Sequence, residues 1–426
     1  MRSCPRPRRG WTTADGRVQT VTAPATSTRA FMQTNDCSFD WCIAPVSPET
    51  FFADHYEKAP LRIARDDPAY YADLLGFDDI DRVVSTMGLS VPEIAVTRAA
   101  GDITPADYAY ESGFVDPVRV NQLFADGATV ILSGLHERLP RLAAFCRALE
   151  SVFSARVQTN IYMTQAESQG FRAHYDDHDV LVLQVAGTKE WRFYGTPVEL
   201  PLTTQAFNPA EVEIGPETER FVLQPGDMLY VPRGLAHDAV ATGEPSLHIT
   251  TGLMCRTWAD VLVEAVNVMA HRDPDLRRAL PPGFANRGHD HGRHQADFEE
   301  MLARIARDAP LAKLLDGFKQ DFLTGRVPRA HGQMAEMAKL KGLAPDSRVS
   351  ARPHLIHDLT SSEADGTVRL VCQGAEIELP DFTRDTLEAA VSARDIRVGD
   401  LPGDLDDAGK LVLVRRLVRE GLMVIH

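Results

Sequence analysis

The sequence predicts a mainly β core with an N-terminal elaboration, followed by a helical region and a small C-terminal α/β module of winged-helix-like order. Three observations carry this. Between about 156 and 255 the chain breaks into short β-rich runs separated by Gly/Pro turns, the spacing of a sandwich or barrel. From Trp258 the pattern changes to long segments with apolar residues at helical spacing. Residues 346–426 then offer a hairpin, two helices and a closing strand. A chain of 426 residues can bury such cores without disulfide staples.

Residues 1–36 read as a disordered Arg-rich leader. Six Arg and one acid over residues 1–30 give +5, so the remainder carries −20 of the total −15. No apolar run follows Arg8-Arg9, which argues against a secretory or twin-arginine signal. A transit peptide, or a true start at Met32, are the other readings. Order is expected from Cys37. In Ser47-Pro48-Glu49-Thr50-Phe51-Phe52, a Ser N-cap, Pro at the first helical position and an early acid predict a helix that ends before Pro60. A second helix is expected near 138–153. The β-rich region holds VQTNIYM, DVLVLQVAG, EWRFYG, RFVLQPGD, MLYVP, HDAVAT and SLHITTGL. Helices follow in TWADVLVEAVNVMAHR, ADFEEMLARIARDAPLAKLLDGFKQDFLTG and QMAEMAKLKGL, with a Pro/Gly/His-rich loop over 280–295. The terminal module comprises the hairpin GTVRLVCQGAEIELP, the helices TRDTLEAAVSA and DDAGKLVLVRRLVREG, and the strand LMVIH. The divisions are thus 1–36, 37–257, 258–345 and 346–426.

Two β-region segments carry chemistry. In Gly170-Phe171-Arg172-Ala173-His174-Tyr175-Asp176-Asp177-His178-Asp179, a His and a carboxylate two residues apart in extended chain share a face, so His174 and Asp176 can bind one metal. The pattern alone is weak, since His271-Arg272-Asp273 also has it at a helix end. The second segment runs Gly226 to His237 and fits G(x)5PxG(x)2H, with Pro232 and Gly234 shaping the turn before His237. It resembles the second motif of the cupin family of double-stranded β-helix barrels, although the Asn that usually ends that motif is Ala241 here. Two imidazoles and one carboxylate would form the facial triad suited to Fe(II) with open positions.

The string GFRAHYDDHDVLVLQVAGTKEWRFY further resembles the JmjC-type oxygenases of the ribosomal oxygenase (cupin-4) group, as do the opening APVSPETFFADHYEKAPLRI and the domain order. The resemblance covers about residues 37–426. It implies a JmjC barrel, a helical dimerisation region, a winged helix and a homodimer. It also implies His174, Asp176 and His237 as catalytic metal ligands, with Fe(II), 2-oxoglutarate and dioxygen as cofactor and cosubstrates. Lys189 occupies the position that pairs with the distal carboxylate of 2-oxoglutarate, in a chain with only seven Lys against 38 Arg. Asn160 matches a cosubstrate-binding Asn, and Tyr162 shares its strand face. The activity implied is hydroxylation of a protein side chain, a His or Arg of a ribosomal protein.

Alternatives stand beside these readings. The same chemistry on a peptide or small natural product is one, and a non-oxygenase metal-binding cupin with an interaction role is another. Asp177 and His178 read as rim residues, and Asp179 as a competing carboxylate. His248 reads as a hydrogen-bonded barrel His, Trp191 and Phe193 as core, and His289-Asp290-His291 with His294 as a solvated loop. The net charge of −15 suits a basic protein partner and argues against a surface that grips nucleic acid throughout. No stretch approaches the roughly 20 apolar residues of a membrane span. Six scattered Cys without a C-x-x-C indicate a reducing compartment, the cytoplasm.

Overall fold

Alternating apolar and polar residues in β-rich runs build one large sheet. Its strands are β1 (Gln19–Ala23), β2 (Leu61–Arg65), β3 (Ile94–Thr97), β4 (Thr129–Ser133), β5 (Arg156–Thr164), β6 (Asp179–Phe193), β7 (Glu219–Leu223), β8 (Met228–Val231) and β9 (His237–Met254). They lie in the order β1-β2-β8-β6-β9-β5-β4-β3, with β7 against the second half of β6. The β1–β2 pair is parallel and the other ladders are antiparallel. This is a computed structural model that describes residues 17–23, 37–99, 101, 103–328 and 330–426. It forms two units, Met1–Met254 and Cys255–His426.

Two departures from expectation concern this sheet. The first is at the leader, where Gln19–Ala23 pairs with β2 across five positions, so order does not begin at Cys37. The rest of the expected disordered leader lies outside the described residues. The second is strand length. DVLVLQVAG and EWRFYG are one 15-residue strand, and HDAVAT and SLHITTGL are one of 18 residues. Register shifts between Gln184 and Ala186 and between Ala186 and Thr188 absorb the apparent turn as a bulge. Gly187 sits there at φ +60°, where a Cβ would lie 2.2 Å from the Pro245 carbonyl oxygen.

The N-terminal elaboration supports this sheet. Helix α1 (Phe39–Ile43) precedes α2 (Pro48–Thr50), which runs into a wider helical turn over Phe51–His55. As the sequence predicts, the Ser47 hydroxyl accepts the Thr50 N–H at 3.2 Å. Phe51 packs edge-on against Tyr230 of β8 at 4.9 Å between ring centres. Tyr230 and Arg233 then donate to the fully buried Asp179, at 2.6 and 2.7 Å, and Arg233 also pairs with Glu57 at 2.6 Å. This network ties the start of β6 to the turn before β9. Helices α3 (Phe77–Thr86), α4 (Pro117–Ala125) and α5 (Pro140–Phe153) complete the unit.

In the second unit, α6 (Trp258–Arg272), α7 (Gln295–Asp308) and α8 (Leu311–Gly325) are helical as expected. The stretch predicted as one helix breaks at Pro310, which lacks an amide hydrogen. Val261, Ala265 and Leu314 form a small core between α6 and α8. After α9 (Gln333–Lys339) come β10 (Arg348–Ala351), β11 (Asp358–Ser362), β12 (Thr367–Cys372), β13 (Ala375–Pro380), α10 (Arg384–Ser392), β14 (Ile396–Arg397), α11 (Asp407–Arg419) and β15 (Met423–Ile425). The β12–β13 hairpin turns on Gln373-Gly374, both at positive φ as a two-residue hairpin turn requires. The closing strand β15 pairs with β10.

Candidate functional site

The two motif segments meet through a pair of backbone hydrogen bonds. His174 N–H donates to His237 O at 3.0 Å, and His237 N–H donates to His174 O at 2.7 Å. Gly234 N–H donates to Asp176 O at 2.9 Å, which fixes the turn before β9 against the first segment. Gly234 is held at φ +87° with the Val198 carbonyl oxygen 2.0 Å from where a Cβ would stand. Only glycine fits both the conformation and the space.

Local bonds set the imidazole tautomers. His174 Nδ1 lies 2.9 Å from Arg172 O, and His237 Nδ1 lies 2.9 Å from Leu235 O. A carbonyl only accepts, so each Nδ1 carries the hydrogen and each Nε2 presents a lone pair. The Asp176 carboxylate lies 3.9 Å from His174 Nε2 and 3.8 Å from His237 Nε2. Burial, then the neighbouring His174, pulls the His237 pKa below its usual value and favours the neutral form a metal requires. One ligand atom from each residue falls within 4.8 Å of the other two, and no second group of three metal-binding side chains converges among the described residues. Three acceptor atoms converge without a donor of their own. That donor set fits a divalent cation with two nitrogens and one oxygen.

The remaining sequence candidates separate. Asp179 is corrected from competing ligand to structural anion, since Tyr230 and Arg233 occupy its oxygens. His178 Nδ1 pairs with Asp177 Oδ1 at 2.9 Å, beside the triad rather than in it. His271 Nδ1 donates to Asn267 O at 2.9 Å within α6. His289 and His294 approach to 3.1 Å between their Nε2 atoms, and Arg293 Nε donates to His294 Nε2 at 3.1 Å, so this pair is no part of a converging metal-ligand group among the described residues.

A cavity opens beside the triad, lined by Tyr162, Thr164, Phe171, Lys189, Trp191 and His248 among others. Lys189 is 4% exposed, and its Nζ reaches Thr164 Oγ1 at 3.1 Å and His248 Nδ1 at 3.3 Å. Burial lowers its pKa to about 7, with no opposing charge to restore it. A buried cation facing a cavity with only neutral neighbours is suited to an anionic ligand. Tyr162 stacks on His248 at 4.9 Å, and burial pushes its phenol pKa up. Asn160 shares the Tyr162 face of β5 but does not line the cavity; its amide oxygen accepts from Gln158 at 3.4 Å. Trp191 and Phe193 are buried as expected, and Trp191 also forms a cavity wall. Sequence reasoning missed Thr164 and underrated His248. The alternation that groups Tyr162 with Asn160 also reaches Thr164, whereas His248 is found only through its register opposite Tyr162.

Residues 135–261 match the family model of the JmjC domain. The bifunctional lysine-specific demethylase and histidyl-hydroxylase NO66 of Aedes aegypti is 27% identical over 91% of this chain and 67% of its own length. Ribosomal oxygenase 1 of Gallus gallus is 30% identical over 71% of this chain and 53% of its own. Ribosomal oxygenase 2 of Rattus norvegicus is 32% identical over 68% and 64%. The chain therefore spans about half to two thirds of the length of these relatives. The solved structure of YcfD, a ribosomal oxygenase from Escherichia coli, in complex with cobalt and 2-oxoglutarate has a TM-score of 0.50 at 15% identity, over 90% of this chain and 99% of that one. The architecture is thus a JmjC/cupin fold with a large mixed sheet and helices.

Proposed function

We propose that this chain, which carries a JmjC domain and is similar to the ribosomal oxygenases, is a 2-oxoglutarate-dependent oxygenase with an Fe(II) centre that hydroxylates a protein side chain, with a His or Arg of a ribosomal protein as substrate. The observation that carries this is the juxtaposition of the His174-Asp176-His237 triad with a cavity whose buried cation, Lys189, lacks an anion. His174, Asp176 and His237 hold the metal. Bound iron supplies dioxygen activation coupled to oxidative decarboxylation of the cosubstrate.

This chain's residues provide the rest. The Nδ1 bonds to Arg172 and Leu235 keep both imidazoles aimed before metal arrives, and three protein ligands leave positions open for cosubstrate and oxygen. Lys189 receives the distal carboxylate. Burial of Val180, Val182 and Val231 along one wall keeps bulk water from that end. Phe171 lies on the triad side, its ring 5.7 Å from His174 and 42% exposed, where an incoming side chain would meet it, and Tyr162 bridges from Phe171, at 6.2 Å, to His248. Asn160 is assigned a supporting role behind Tyr162. An excess of acidic residues favours encounter with a basic partner.

The second unit is proposed to contribute assembly. On α6, Trp258, Leu262 and Val266 are exposed at four-residue spacing, an apolar stripe suited to a homodimer. The module over 346–426 is proposed as winged-helix-like and protein-contacting. A ribosomal-protein substrate and the free thiols of Cys42 and Cys372 suit the cytoplasm. No helix among the described residues is long and apolar enough to cross a membrane.

The test loads the anaerobically purified protein with Fe(II), adds 2-oxoglutarate and oxygen, and measures succinate with and without ribosomal proteins. Substrate-dependent succinate with a 16 Da gain on a ribosomal protein is expected, and His237→Ala abolishes both. Succinate formed only with small molecules would overturn the protein-substrate assignment.

A further inference from the structure

Lys189 accounts for one donor at the closed end of the cavity, and the hydrogen-bond directions around it require two more. A bound anion holds Lys189 in its ammonium form, which only donates. Its contact with His248 Nδ1 at 3.3 Å therefore makes Nδ1 an acceptor and leaves the imidazole hydrogen on Nε2. The described residues offer that Nε2–H no acceptor, and His248 lines the cavity. Stacking on Tyr162 at 4.9 Å with an interplanar angle of 3° holds the ring against rotation. Thr164 repeats the pattern. Its Oγ1 accepts from Lys189 at 3.1 Å and from Thr129 at 3.1 Å, so its own hydrogen remains to be donated, and it too lines the cavity. Burial and the Lys189 charge hold His248 far below its usual pKa, so the ring stays neutral beside the ammonium.

We propose that His248 Nε2–H and Thr164 Oγ–H complete, with Lys189, a three-donor cradle for the distal carboxylate of a 2-oxo dicarboxylate, and that His248 makes the site select dicarboxylates over monocarboxylates. The proposal rests on the cosubstrate reading above and deepens it. One cation alone leaves most carboxylate lone pairs without donors in a water-poor pocket. Two fixed neutral donors satisfy them without adding charge. The arrangement also explains why a histidine, seemingly a poor neighbour for a buried lysine, occupies this position. It accepts from the lysine on one side and donates to the ligand on the other.

The test titrates the full-length, Mn(II)-loaded protein calorimetrically without oxygen, using 2-oxoglutarate and 2-oxopentanoate, which shares the chain but lacks the distal carboxylate. His248→Phe keeps the ring that stacks on Tyr162 and removes both nitrogens. It should weaken 2-oxoglutarate by about ten- to hundredfold, the range for a charged hydrogen bond, and leave 2-oxopentanoate within about twofold. Thr164→Val should act in the same direction and reads the cradle independently where His248→Phe fails to fold, as judged by its melting transition. His248→Gln, which keeps a donor, should recover part of the loss. An equal loss for both ligands, or none for 2-oxoglutarate, would overturn the cradle. Failure of the unaltered protein to bind 2-oxoglutarate would instead overturn the oxygenase reading and the cradle with it.

Discussion

Replacing Gly234 and Gly243 by alanine, one at a time, separates backbone strain from steric contact at the turn that delivers His237. Both glycines have left-handed backbones, at φ +87° and +73°. Alanine in that region costs about 1–2 kcal/mol. At Gly243 nothing lies within 4 Å of the added Cβ, so the substitution should cost only that amount. At Gly234 the Cβ would stand 2.0 Å from Val198 O and 2.9 Å from Pro201 Cδ. A backbone carbonyl cannot rotate away as a flexible side chain does, so overpacking adds about 1–3 kcal/mol. Gly234→Ala should therefore cost about 2–5 kcal/mol in total. Urea unfolding followed by tryptophan fluorescence measures both, with the transition midpoint shifting at constant slope. Because Gly234 N–H also anchors Asp176 O, Gly234→Ala should weaken Mn(II) binding at least tenfold while Gly243→Ala leaves it unchanged. Equal stability losses, or unimpaired metal binding in Gly234→Ala, would refute the close-approach argument.

Three further outcomes are expected. Burial lowers the Lys189 pKa from 10.5 to about 7 in the folded, ligand-free protein, so the unfolded chain binds the extra proton between those values and stability rises with pH across that interval. Lys189→Met should then stabilise the ligand-free protein at pH 6, by on the order of 3–5 kcal/mol, with the advantage shrinking above pH 7; an advantage independent of pH from 6 to 10 would contradict it. Deleting residues 1–31 removes β1, and with it the five-position ladder to β2 and the Val18 N–H bond to Glu219 at 2.7 Å. Thermal melting should fall, whereas a dispensable leader would leave it unaltered. Trp258→Glu with Leu262→Glu on the exposed face of α6 should convert the proposed dimer into monomers in light scattering without lowering the melting temperature of the first unit, and an unaltered protein that is already monomeric would overturn the assembly proposal.

The triad was legible in sequence because each of its two motifs is local, although the motifs lie far apart in the chain. His174 and Asp176 stand two positions apart, and a turn of fixed shape precedes His237. Lys189 was legible for a different reason, the family resemblance that places a basic residue fifteen positions after His174, in a chain with only seven Lys against 38 Arg. What sequence could not supply was register. His248 faces Tyr162 only because β5 and β9 pair with Asn160 opposite Thr250, and Lys189 reaches His248 only after the bulge at Gly187 has shifted β6 against β9. The same bulge concealed the length of β6, since a Gly-Thr pair in an apolar run reads as a turn. Strand β1 was hidden by its surroundings: QTVTA is short and half-polar, as an edge strand often is, and it stands in an Arg-rich segment whose composition suggests disorder. The Asp179 network was missed because a carboxylate three residues beyond Asp176 looks like a ligand until Arg233 and Tyr230 are seen to occupy it.

Three histidines of this cavity share one rule, and its opposite outcomes set the polarity of the site. At His174 and His237 the group beside Nδ1 is a carbonyl, which can only accept; the hydrogen goes to Nδ1 and Nε2 offers a lone pair. At His248 the group beside Nδ1 is an ammonium, which can only donate; Nδ1 gives the lone pair and the hydrogen goes to Nε2. The same side chain thus becomes an acceptor where a cation belongs and a donor where an anion belongs. The partners that decide this differ in origin. Arg172 and Leu235 each stand two residues before the histidine they orient, so the tautomers at the metal end are set by local chain geometry, although the two segments must still meet to complete the triad. Lys189 is 59 residues from His248, so the anion end exists only once β6 and β9 are in register. Changes that slip the bulge at Gly187 should therefore abolish dicarboxylate selection before they abolish metal binding.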